Sequence, residues 1–400
     1  MKSNYRRIGD YIREIDIRNS GLKVQKLIGL SVTKEFIPSV ANIIGTDLEI
    51  YKIISFNQFA CSTMQVRRDK KMPVALYIDS EPSIVSQAYQ IFEVSNRNEL
   101  IPEYLMLWFT RAEFDREACF HAVGGVRGSL EWEDFCDMEL PVPSIEKQRE
   151  IVAEYNAIQR RIELNDQLIQ KLEDTAQTIY KRWFVEFEFP NENGLPYKSN
   201  GGEMVWNEEL SKEIPKGWEV KSLGEIADFL NGLAMQKYPI ENENECLQII
   251  KIRELSQGFF DVNSNKGSSK IPLEYIVTNG DVIFSWSGTL KVKIWCGGTG
   301  ALNQHLFKVY SNIYSKWFYY LWTKFYLDVF IRIAEGKATS LGHINREHLN
   351  EAKVLCPNSL KTMNSLMDPL IEHIIEIKLQ NQKLTELKNL LLSKLATVEG

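Results

Sequence analysis

Two stretches of the chain carry apolar residues at steps that alternate between four and three. The first stretch covers residues 145–184, and the second begins after residue 357. This spacing is typical of a coiled coil, in which one apolar seam faces a partner helix. At 1.5 Å per residue, a helix of about 40 residues is about 60 Å long, too long to be buried in a small domain. We therefore predict two long helices that pair with each other in antiparallel orientation.

The predicted seams are mostly Ile and Leu, with one polar residue at an equivalent position in each helix. The positions are Ile151, Tyr155, Ile158, Ile162, Asn165, Ile169, Leu172, Ala176, Ile179 and Trp183 in the first helix, and Leu366, Leu370, His373, Ile377, Gln380, Leu384, Leu387 and Leu391 in the second. Equivalent residues of two helices related by a pseudo-twofold axis meet at the midpoints, so Asn165 is expected close to Gln380. A buried amide of this kind fixes register at some cost in stability. The alternative is two unrelated solvated positions.

The whole chain repeats at an offset of about 215 residues. Each copy begins with a short amphipathic segment and ends with a strand and a proline before the long helix. Strand patterns at residues 51–56, 73–78 and 88–94 precede an aromatic-rich helix over 101–119. The second copy has strand patterns at 276–277, 282–284 and 305–310 and a helix over 317–332. A β-rich unit with covering helices belongs to the α+β class.

Composition shifts along the chain predict five segments. They are a first globular domain over 1–143, a long helix over 144–189, a polar linker over 190–214, a second globular domain over 215–356 and a long helix over 357–400. The predicted architecture is thus two tandem α/β-mixed domains separated by two long antiparallel coiled-coil helices with pseudo-twofold symmetry.

Charge and composition narrow the class of protein. The net charge of -6 rules out only a uniformly basic nucleic-acid binder. The six cysteines are scattered without C-x-x-C spacing, which argues against structural zinc and against a disulfide framework. No apolar run approaches the roughly 20 residues that span a bilayer, and the first residues lack the apolar stretch of a signal peptide. A cytoplasmic protein is expected.

Motifs that carry catalysis are missing from the sequence. There is no phosphate-binding G-x-x-x-x-G-K-[ST] and no [ND]-P-P-aromatic tetrapeptide of amino-methyltransferases. The E-x-K triplet at residues 351–353 lacks the upstream Pro-Asp of a nuclease signature. His343 and His348 have no cysteine or carboxylate arrangement around them that would form a metal site. These absences favour a non-catalytic binding protein with no metal and no cofactor of its own.

Three segments carry a resemblance to a known family. Residues 139–148 (ELPVPSIEKQ), followed by Ile151 and Val152, resemble the start of the central conserved region of specificity subunits of type I restriction-modification systems. Residues 214–225 (IPKGWEVKSLGE) look like the start of a second target-recognition domain, and residues 301–307 (ALNQHLF) are similar to a core strand of that family. Residues 357–361 (PNSLK) depart from the pattern, because no Gln follows the proline there.

The resemblance implies a protein that reads a bipartite, gapped sequence in double-stranded DNA. Each globular domain would recognise one half, and the helices would set the gap, at about 3.4 Å per base pair. Two methyltransferase subunits carrying S-adenosylmethionine would dock on the helices, with residues 148–184 as the leading patch. Restriction subunits that use ATP and Mg would complete the assembly.

Polar and basic residues in predicted loops are the candidates for DNA contact, because such side chains reach phosphates and base edges. They are Arg67, Arg68, Lys70, Lys71 and Arg127 in the first domain, and Lys266, Ser269, Lys270, Lys291, Lys293, Asn303, Gln304 and Lys337 in the second. The solvated-hairpin interpretation of residues 67–71 stays open. The core of the helix pair is predicted at Ile158, Ile162, Asn165, Ile169, Leu172, Ile377, Gln380, Leu384 and Leu387.

Two other functions remain possible at this point. A stand-alone coiled-coil scaffold or decoy would bind protein and show no salt-dependent affinity for DNA. An enzyme with an unrecognised site would methylate or cut DNA by itself, and the missing motifs argue against it.

Overall fold

The computed structural model describes residues 5–39, 45–125, 128–242, 244–336 and 342–397. Contacts divide the chain into two compact units. Unit 1 consists of Met1–Arg161 and Thr385–Gly400, and unit 2 is Ile162–Leu384. Within the described ranges, no helix combines the length and the apolar character needed to cross a membrane.

Unit 1 combines short strands with helices. The strands are β1 (Tyr5–Arg7), β2 (Ile12–Ile15), β3 (Ile28–Leu30), β4 (Phe36–Pro38), β5 (Lys52–Ile54), β6 (Gln58–Cys61), β7 (Val74–Leu76), β8 (Ser83–Val85), β9 (Gln90–Val94) and β10 (Glu139–Pro141). The helices are α1 (Val66–Asp69), α2 (Pro102–Thr110), α3 (Ala112–His121), α4 (Trp132–Asp137) and the first part of α5 (Ile145–Phe184), with one-turn 3-10 helices at Ile8–Asp10, Leu48–Ile50 and Leu395–Thr397. The main sheet has four antiparallel strands in the order β2-β9-β6-β7.

Unit 2 contains the remaining elements. Its strands are β11 (Met204–Asn207), β12 (Lys212–Pro215), β13 (Glu219–Ser222), β14 (Asp228–Asn231), β15 (Cys246–Ile250), β16 (Lys266–Ser268), β17 (Ile276–Val277), β18 (Val282–Ser285), β19 (Lys291–Ile294), β20 (Gly300–Leu302), β21 (Leu306–Tyr310) and β22 (Lys353–Cys356). Its helices are α6 (Leu223–Ile226), α7 (Ile252–Gln257), α8 (Lys316–Phe325), α9 (Leu327–Glu335), α10 (Arg346–Glu351) and most of α11 (Lys361–Lys394), with 3-10 turns at Lys198–Asn200, Met235–Lys237 and Leu273–Tyr275.

The main sheets of the two units have the same strand order. In unit 2 the antiparallel order is β14-β21-β18-β19, which matches β2-β9-β6-β7 position by position. In both units a further antiparallel pair joins the first strand of the repeat to the strand before the long helix, β1 with β10 and β13 with β22. The repeat in the sequence thus corresponds to a repeat in topology.

The core of unit 1 is aromatic and includes residues from both ends of the chain. Phe59 and Phe92 face each other on neighbouring strands, with stacked rings 4.9 Å apart. Leu392 and Leu395 are buried in the same core. The Tyr5 hydroxyl donates a hydrogen bond to the Ala396 carbonyl at 2.9 Å. Residues near the C-terminus are therefore part of the unit that the N-terminal residues form.

The helices that cover the two main sheets are each broken once, so the prediction of a single helix over 101–119 and over 317–332 is wrong. Arg111 has extended φ and ψ angles of -67° and 141°, and it separates α2 from α3. Its guanidinium lies 4.1 Å from the Trp108 ring centroid, a cation–π contact that keeps this buried residue at the break. In unit 2 the break falls at Tyr326, whose hydroxyl donates to the Lys353 carbonyl at 2.5 Å.

The helix-pair residues predicted from the sequence fit α5 better than α11. All ten seam positions predicted on α5 are buried or half-buried. On α11, Ile377 is buried and Leu384 is half-buried, but the prediction is wrong for Leu387, which is 49% exposed. Leu366, His373 and the predicted core residue Gln380 are exposed as well.

The buried side of α11 lies one residue away from much of the predicted seam. Met367, Ile371, Ile374 and Leu392 are buried, next to the predicted 366, 370, 373 and 391. Apolar residues stand side by side at three of these four places, so two neighbouring stripes fit a coiled-coil period. The core of unit 2 selects the second stripe, because Met367, Ile371 and Ile374 pack into it.

Candidate nucleic-acid interface

The basic cluster of unit 1 lies on the connection between β6 and β7. The sequence predicted a loop there, and the structure shows the one-turn helix α1, flanked by Gln65 and Lys70 with left-handed φ angles of 63° and 51°. Arg67, Arg68, Lys70 and Lys71 are all exposed. The short helix and the two residues after it thus display four cationic side chains to solvent.

Only part of this cationic charge is available to a ligand. Arg67 donates to the Gly124 carbonyl at 3.0 Å, and Arg68 is paired with Asp69 at 2.7 Å. The hydrogen bond from Arg68 lowers the pKa of the Asp69 carboxyl, so that pair stays ionised. The ammonium groups of Lys70 and Lys71 form no hydrogen bond or ion pair with any residue that the structure describes. These two lysines are the best placed in unit 1 to contact phosphates.

A buried ion pair holds the end of this connection. Asp115 accepts a hydrogen bond from the Met72 amide at 3.1 Å and pairs with Lys34 at 2.8 Å. Both charged residues are at least nine-tenths buried. Burial lowers the pKa of Lys34, although the Asp115 carboxylate acts in the opposite direction. The pair anchors the backbone directly after Lys70 and Lys71.

The loop after α3 packs against the same helix turn. Leu130 donates its amide to the Thr63 carbonyl at 2.9 Å. A Cβ at Gly128 would lie 2.8 Å from the Arg67 side chain, so the close approach requires glycine. Arg127, the other candidate in this loop, lies outside the described residues.

The equivalent connection in unit 2 is a tight turn between β18 and β19. The Ser285 hydroxyl donates to the Thr289 carbonyl at 2.6 Å and accepts from the Lys291 amide at 2.8 Å, and Gly288 has a φ of 64°. Lys291 is half-buried at the end of this turn. Lys293 is held inside the unit, because its ammonium donates to the Ser256 carbonyl at 2.6 Å. Burial lowers the pKa of Lys293, which makes it a weaker candidate for phosphate contact than Lys291.

A polar and aromatic cluster lies at this turn, and of its members only Gln304 was predicted from the sequence. The Trp286 indole donates to Asn231 Oδ1 at 2.8 Å, and its ring centroid lies 6.0 Å from that of His305. His305 Nδ1 lies 3.0 Å from the Ser287 hydroxyl, and Gln304 Nε2 lies 3.3 Å from His305 Nε2. The sequence signal was weak, because the cluster combines residues from three separate segments, at 231, 286–287 and 304–305.

The other candidates of unit 2 are divided between two places. Lys266 is exposed at the start of β16 and lines one cavity together with Asn303, which is 5% exposed. Lys270 is paired with Glu245 at 2.8 Å, so a phosphate would have to displace that carboxylate. Ser269 is half-buried, and its amide donates to the Glu245 carbonyl at 3.0 Å. Lys337 lies outside the described residues.

The polar centre of the long helices is well defined within unit 2. Asn165 is 4% exposed and donates to Gln380 at 2.9 Å, so the approach predicted from the sequence is present. Further along, Glu173 pairs with Lys378 at 2.9 Å and with Lys324 at 3.5 Å. Asn165 of α5 contacts Gln380 of α11, and the later residue Glu173 contacts the earlier residue Lys378. These segments of the two helices therefore pack antiparallel.

Comparison with known proteins gives a consistent result. A family model described as "Type I restriction modification DNA specificity domain" matches residues 70–174 and 215–389. The specificity subunit of the type I restriction enzyme MjaIX of Methanocaldococcus jannaschii is 27% identical over 332 residues, which cover 80% of this chain and 73% of that protein. The HindI specificity subunit of Haemophilus influenzae is 21% identical over 81% of this chain and 83% of its own length.

A solved structure shows the same fold. The S subunit of a type I restriction-modification system from M. genitalium superimposes with a TM-score of 0.53 at 14% identity, and the alignment covers 99% of this chain and 96% of that one. At 14% identity the likeness establishes the fold and assigns no role to individual residues of this chain.

Proposed function

Because this chain belongs to the family of type I restriction-modification DNA specificity proteins, we propose that it is the non-catalytic subunit that selects the DNA target of such a complex. The target would be bipartite and gapped, with one half read by each repeat. The observation that carries the proposal is the shared strand order of the two units, with candidate contact residues on the same strand connection in both. Two copies of one reading fold suit a target with two halves.

The two connections differ in chemistry, which supports an asymmetric target. Unit 1 presents Lys70 and Lys71 directly after the one-turn helix α1, whereas unit 2 presents Trp286 on a tight turn, with His305 beside it from the segment before β21. Cationic side chains contact phosphates and fix orientation, and amide and aromatic groups read base edges or stack. Different side chains on one scaffold are the expected way to read different half-sites.

We propose further that the long helices set the spacing of the half-sites and receive the partner subunits. Within unit 2, α5 and α11 are joined by a hydrogen-bonded amide pair and by the ion pair of Glu173 with Lys378. Leu164 and Leu168 are 44% and 40% exposed one turn apart on α5, inside the patch at residues 148–184 that the resemblance implies for docking. An apolar pair on an otherwise charged helix face suits a protein partner.

The partners in this proposal are two methyltransferase subunits and, in the full complex, restriction subunits. S-adenosylmethionine would be bound by the former, and ATP with Mg by the latter. We also propose that the two repeats are related by a pseudo-twofold axis. The proposed chain division has five segments, which end at residues 143, 189, 214, 356 and 400. No observation on this chain favours the scaffold or decoy function.

Adenine-methylation mapping of the genome, with and without this gene, tests the proposal. We expect one bipartite, gapped methylated motif to disappear when the gene is deleted and to return when it is restored. In a matched control, the deleted gene is replaced by a version in which Lys70 and Lys71 are changed to Glu. An unchanged set of methylated motifs after deletion, in cells that express the partner subunits, would refute the assignment.

A further inference from the structure

A β-turn joins β20 to β21 and carries two polar side chains at its tip. The Leu306 amide donates to the Asn303 carbonyl at 3.0 Å, so Gln304 and His305 are the two central residues of this turn. Both residues are half-buried, which leaves part of each side chain in contact with solvent. The turn lies at the same end of the main sheet as the connection between β18 and β19, because β21 pairs with β18 in antiparallel orientation.

Neighbouring strands hold the backbone of the turn on both sides. The Trp286 amide, directly after β18, donates to the His305 carbonyl at 3.3 Å, and the Gly232 amide, directly after β14, donates to the Leu306 carbonyl at 2.9 Å. A Cβ at Gly232 would lie 2.2 Å from the Asn303 carbonyl oxygen, so this close contact requires glycine. The two side chains at the tip therefore extend from a well-anchored backbone.

The hydrogen bonds of His305 define its tautomer. Its Nδ1 lies 3.0 Å from the Ser287 hydroxyl, and its Nε2 lies 3.3 Å from Gln304 Nε2. An amide nitrogen can only donate, so His305 Nε2 is the acceptor. In the neutral ring the proton is then on Nδ1, which donates to Ser287. His305 thus receives one hydrogen of the Gln304 amide and orients that amide.

The Gln304 amide keeps one donor and one acceptor for a ligand. His305 uses one of the two hydrogens on Nε2, and Oε1 forms no hydrogen bond with any residue that the structure describes. The second N–H and Oε1 lie side by side in the amide plane. In the major groove, adenine presents a matching acceptor and donor on one base edge, N7 and the N6 amino group. Guanine presents two acceptors there, thymine one acceptor with a methyl group, and cytosine one donor.

Unit 1 has a glutamine at the same place in the turn before the corresponding strand. The Tyr89 amide donates to the Ser86 carbonyl at 3.1 Å, so Gln87 and Ala88 are the central residues of the turn before β9. β9 and β21 occupy the same position in the two main sheets, and Gln87 is exposed. The glutamine therefore occurs in both repeats, whereas the imidazole that orients it is present only in unit 2.

We propose that Gln304 reads an adenine in the major groove of the half-site that unit 2 contacts, and that His305 is the positioning residue for its amide. Gln304 Oε1 accepts from the N6 amino group, and Nε2 donates to N7. This inference rests on the proposed function, because it names one base that this repeat selects. A contact through both a donor and an acceptor distinguishes adenine from the other three bases, which a single acceptor would not do.

Adenine-methylation mapping with substituted genes tests the role of Gln304. Gln304→Ala should leave one half of the motif unchanged and make one A·T position of the other half degenerate. Gln304→Glu should shift that position towards C·G, because a carboxylate accepts from cytosine N4 and cannot donate to adenine N7. Asn312→Ala is the matched control, an exposed amide beyond the opposite end of β21, and should leave the motif unchanged.

The positioning role of His305 has its own pair of variants. His305→Phe should make the same position degenerate, because the Gln304 amide loses the acceptor that orients it. His305→Gln should retain the preference for adenine, since its side-chain oxygen can accept in place of Nε2. A degenerate position in both variants would indicate a packing role for the imidazole and would overturn the positioning role.

A measurement on the DNA makes the test independent of folding. Fluorescence anisotropy of the assembled complex is measured with duplexes of the mapped motif in which each adenine in turn is replaced by 7-deazaadenine, which lacks the N7 acceptor. One replacement should weaken binding of the original protein about 10-fold and have no effect on Gln304→Ala. No loss at any adenine, or equal losses in both proteins at every adenine, would overturn the contact. The proposed function fails separately, if deletion of the gene removes no methylated motif.

Discussion

Asn165 Nδ2 lies 2.9 Å from Gln380 Oε1 and 2.7 Å from Asn381 Oδ1, so one amide of α5 donates to two amides of α11. Asn381 in turn donates to Asp166 at 2.7 Å. The group is directional, because the Asn165 amide nitrogen donates to two acceptors and the Asn381 amide nitrogen donates to one. A shift of either helix by one residue would break these hydrogen bonds. These polar residues therefore specify register where apolar contacts alone would allow several alignments.

Replacing Asn165 by Ala should lower the free energy of unfolding by about 1–3 kcal/mol, because two hydrogen bonds are lost and a small cavity is left. Urea unfolding followed by circular dichroism measures this change. Gln167→Ala is the control on an exposed position of α5 and should change stability by no more than about 0.5 kcal/mol. Equal effects of the two substitutions would contradict a structural role for the amide group.

The register of α11 can be tested with two adjacent residues. Met367 is fully buried, whereas Leu366 is 52% exposed. Met367→Asp should lower the free energy of unfolding by more than about 3 kcal/mol, since it buries an unpaired charge in the core. Leu366→Asp should have an effect below about 1 kcal/mol. Thermal unfolding of both variants measures the difference. A larger loss of stability in Leu366→Asp than in Met367→Asp would support the seam predicted from the sequence.

Lys70 and Lys71 should contribute to DNA affinity through phosphates. Replacing both by Ala should weaken binding of the assembled complex to its target and reduce the slope of log K against log salt by about 2, as expected for two lost phosphate contacts. Fluorescence anisotropy at several salt concentrations gives both quantities. Lys198→Ala is the control, an exposed lysine in the connection between the repeats. An unchanged slope in the double variant would exclude this connection from the DNA surface.

The buried ion pair of Lys34 and Asp115 should hold the connection between β6 and β7 in place. Asp115→Asn removes the carboxylate and leaves the Lys34 ammonium buried, at an expected cost of about 3 kcal/mol. Hydrogen exchange of the Met72 amide should accelerate more than that of amides in β9, since Asp115 accepts from Met72. Equal acceleration throughout unit 1 would indicate a global loss of stability without a local anchoring role.

Stability at low pH should depend on Glu173. Burial acts to raise the pKa of its carboxyl, but Lys378 and Lys324 outweigh burial, so the pKa lies below the ordinary value of 4.5. The unfolded chain then takes up the proton first as the pH falls. The stabilisation is complete above pH 4.5 and is lost as the pH falls through the lower folded-state value.

The matched variant is Glu173→Gln, with Glu146→Gln at an exposed position of α5 as control. At pH 7, the free energy of unfolding in urea should be lower for Glu173→Gln than for the original protein. This difference in free energy should decrease towards pH 3. A constant difference over this range would show that the carboxylate charge does not contribute.

The sequence predicted elements whose periodicity is strong and local. The seam of α5, the strands β5, β7 and β9, and the approach of Asn165 to Gln380 all follow from spacing along the chain. The breaks at Arg111 and Tyr326 do not, because apolar periodicity continues through both positions. Arg111 lies over Trp108, three residues earlier in the chain, whereas Tyr326 donates to the distant Lys353 carbonyl. The register of α11 failed for a related reason, since apolar residues at adjacent positions fit two stripes and only the core of unit 2 selects one.

The candidate site was less predictable than the fold. Basic residues between strands were recognisable as candidates, but the pairing of Lys270 with Glu245 depends on a residue 25 positions earlier, which the loop sequence does not specify. The cluster around Trp286, which includes the oriented amide of Gln304, arises where separate segments meet. Such sites are determined by the topology of the sheet, and the residue types reveal them only once that topology is known.

The inclusion of Leu392 and Leu395 in the core of unit 1 has a consequence for synthesis on the ribosome. Most of unit 1 is translated first, yet its core still lacks these two side chains and the Ala396 carbonyl that Tyr5 binds. Unit 2 lies between them in the translation order and is made in full before unit 1 can close. The repeat that leaves the ribosome first is therefore the last to complete its core. It must stay soluble until the end of α11 has been synthesised.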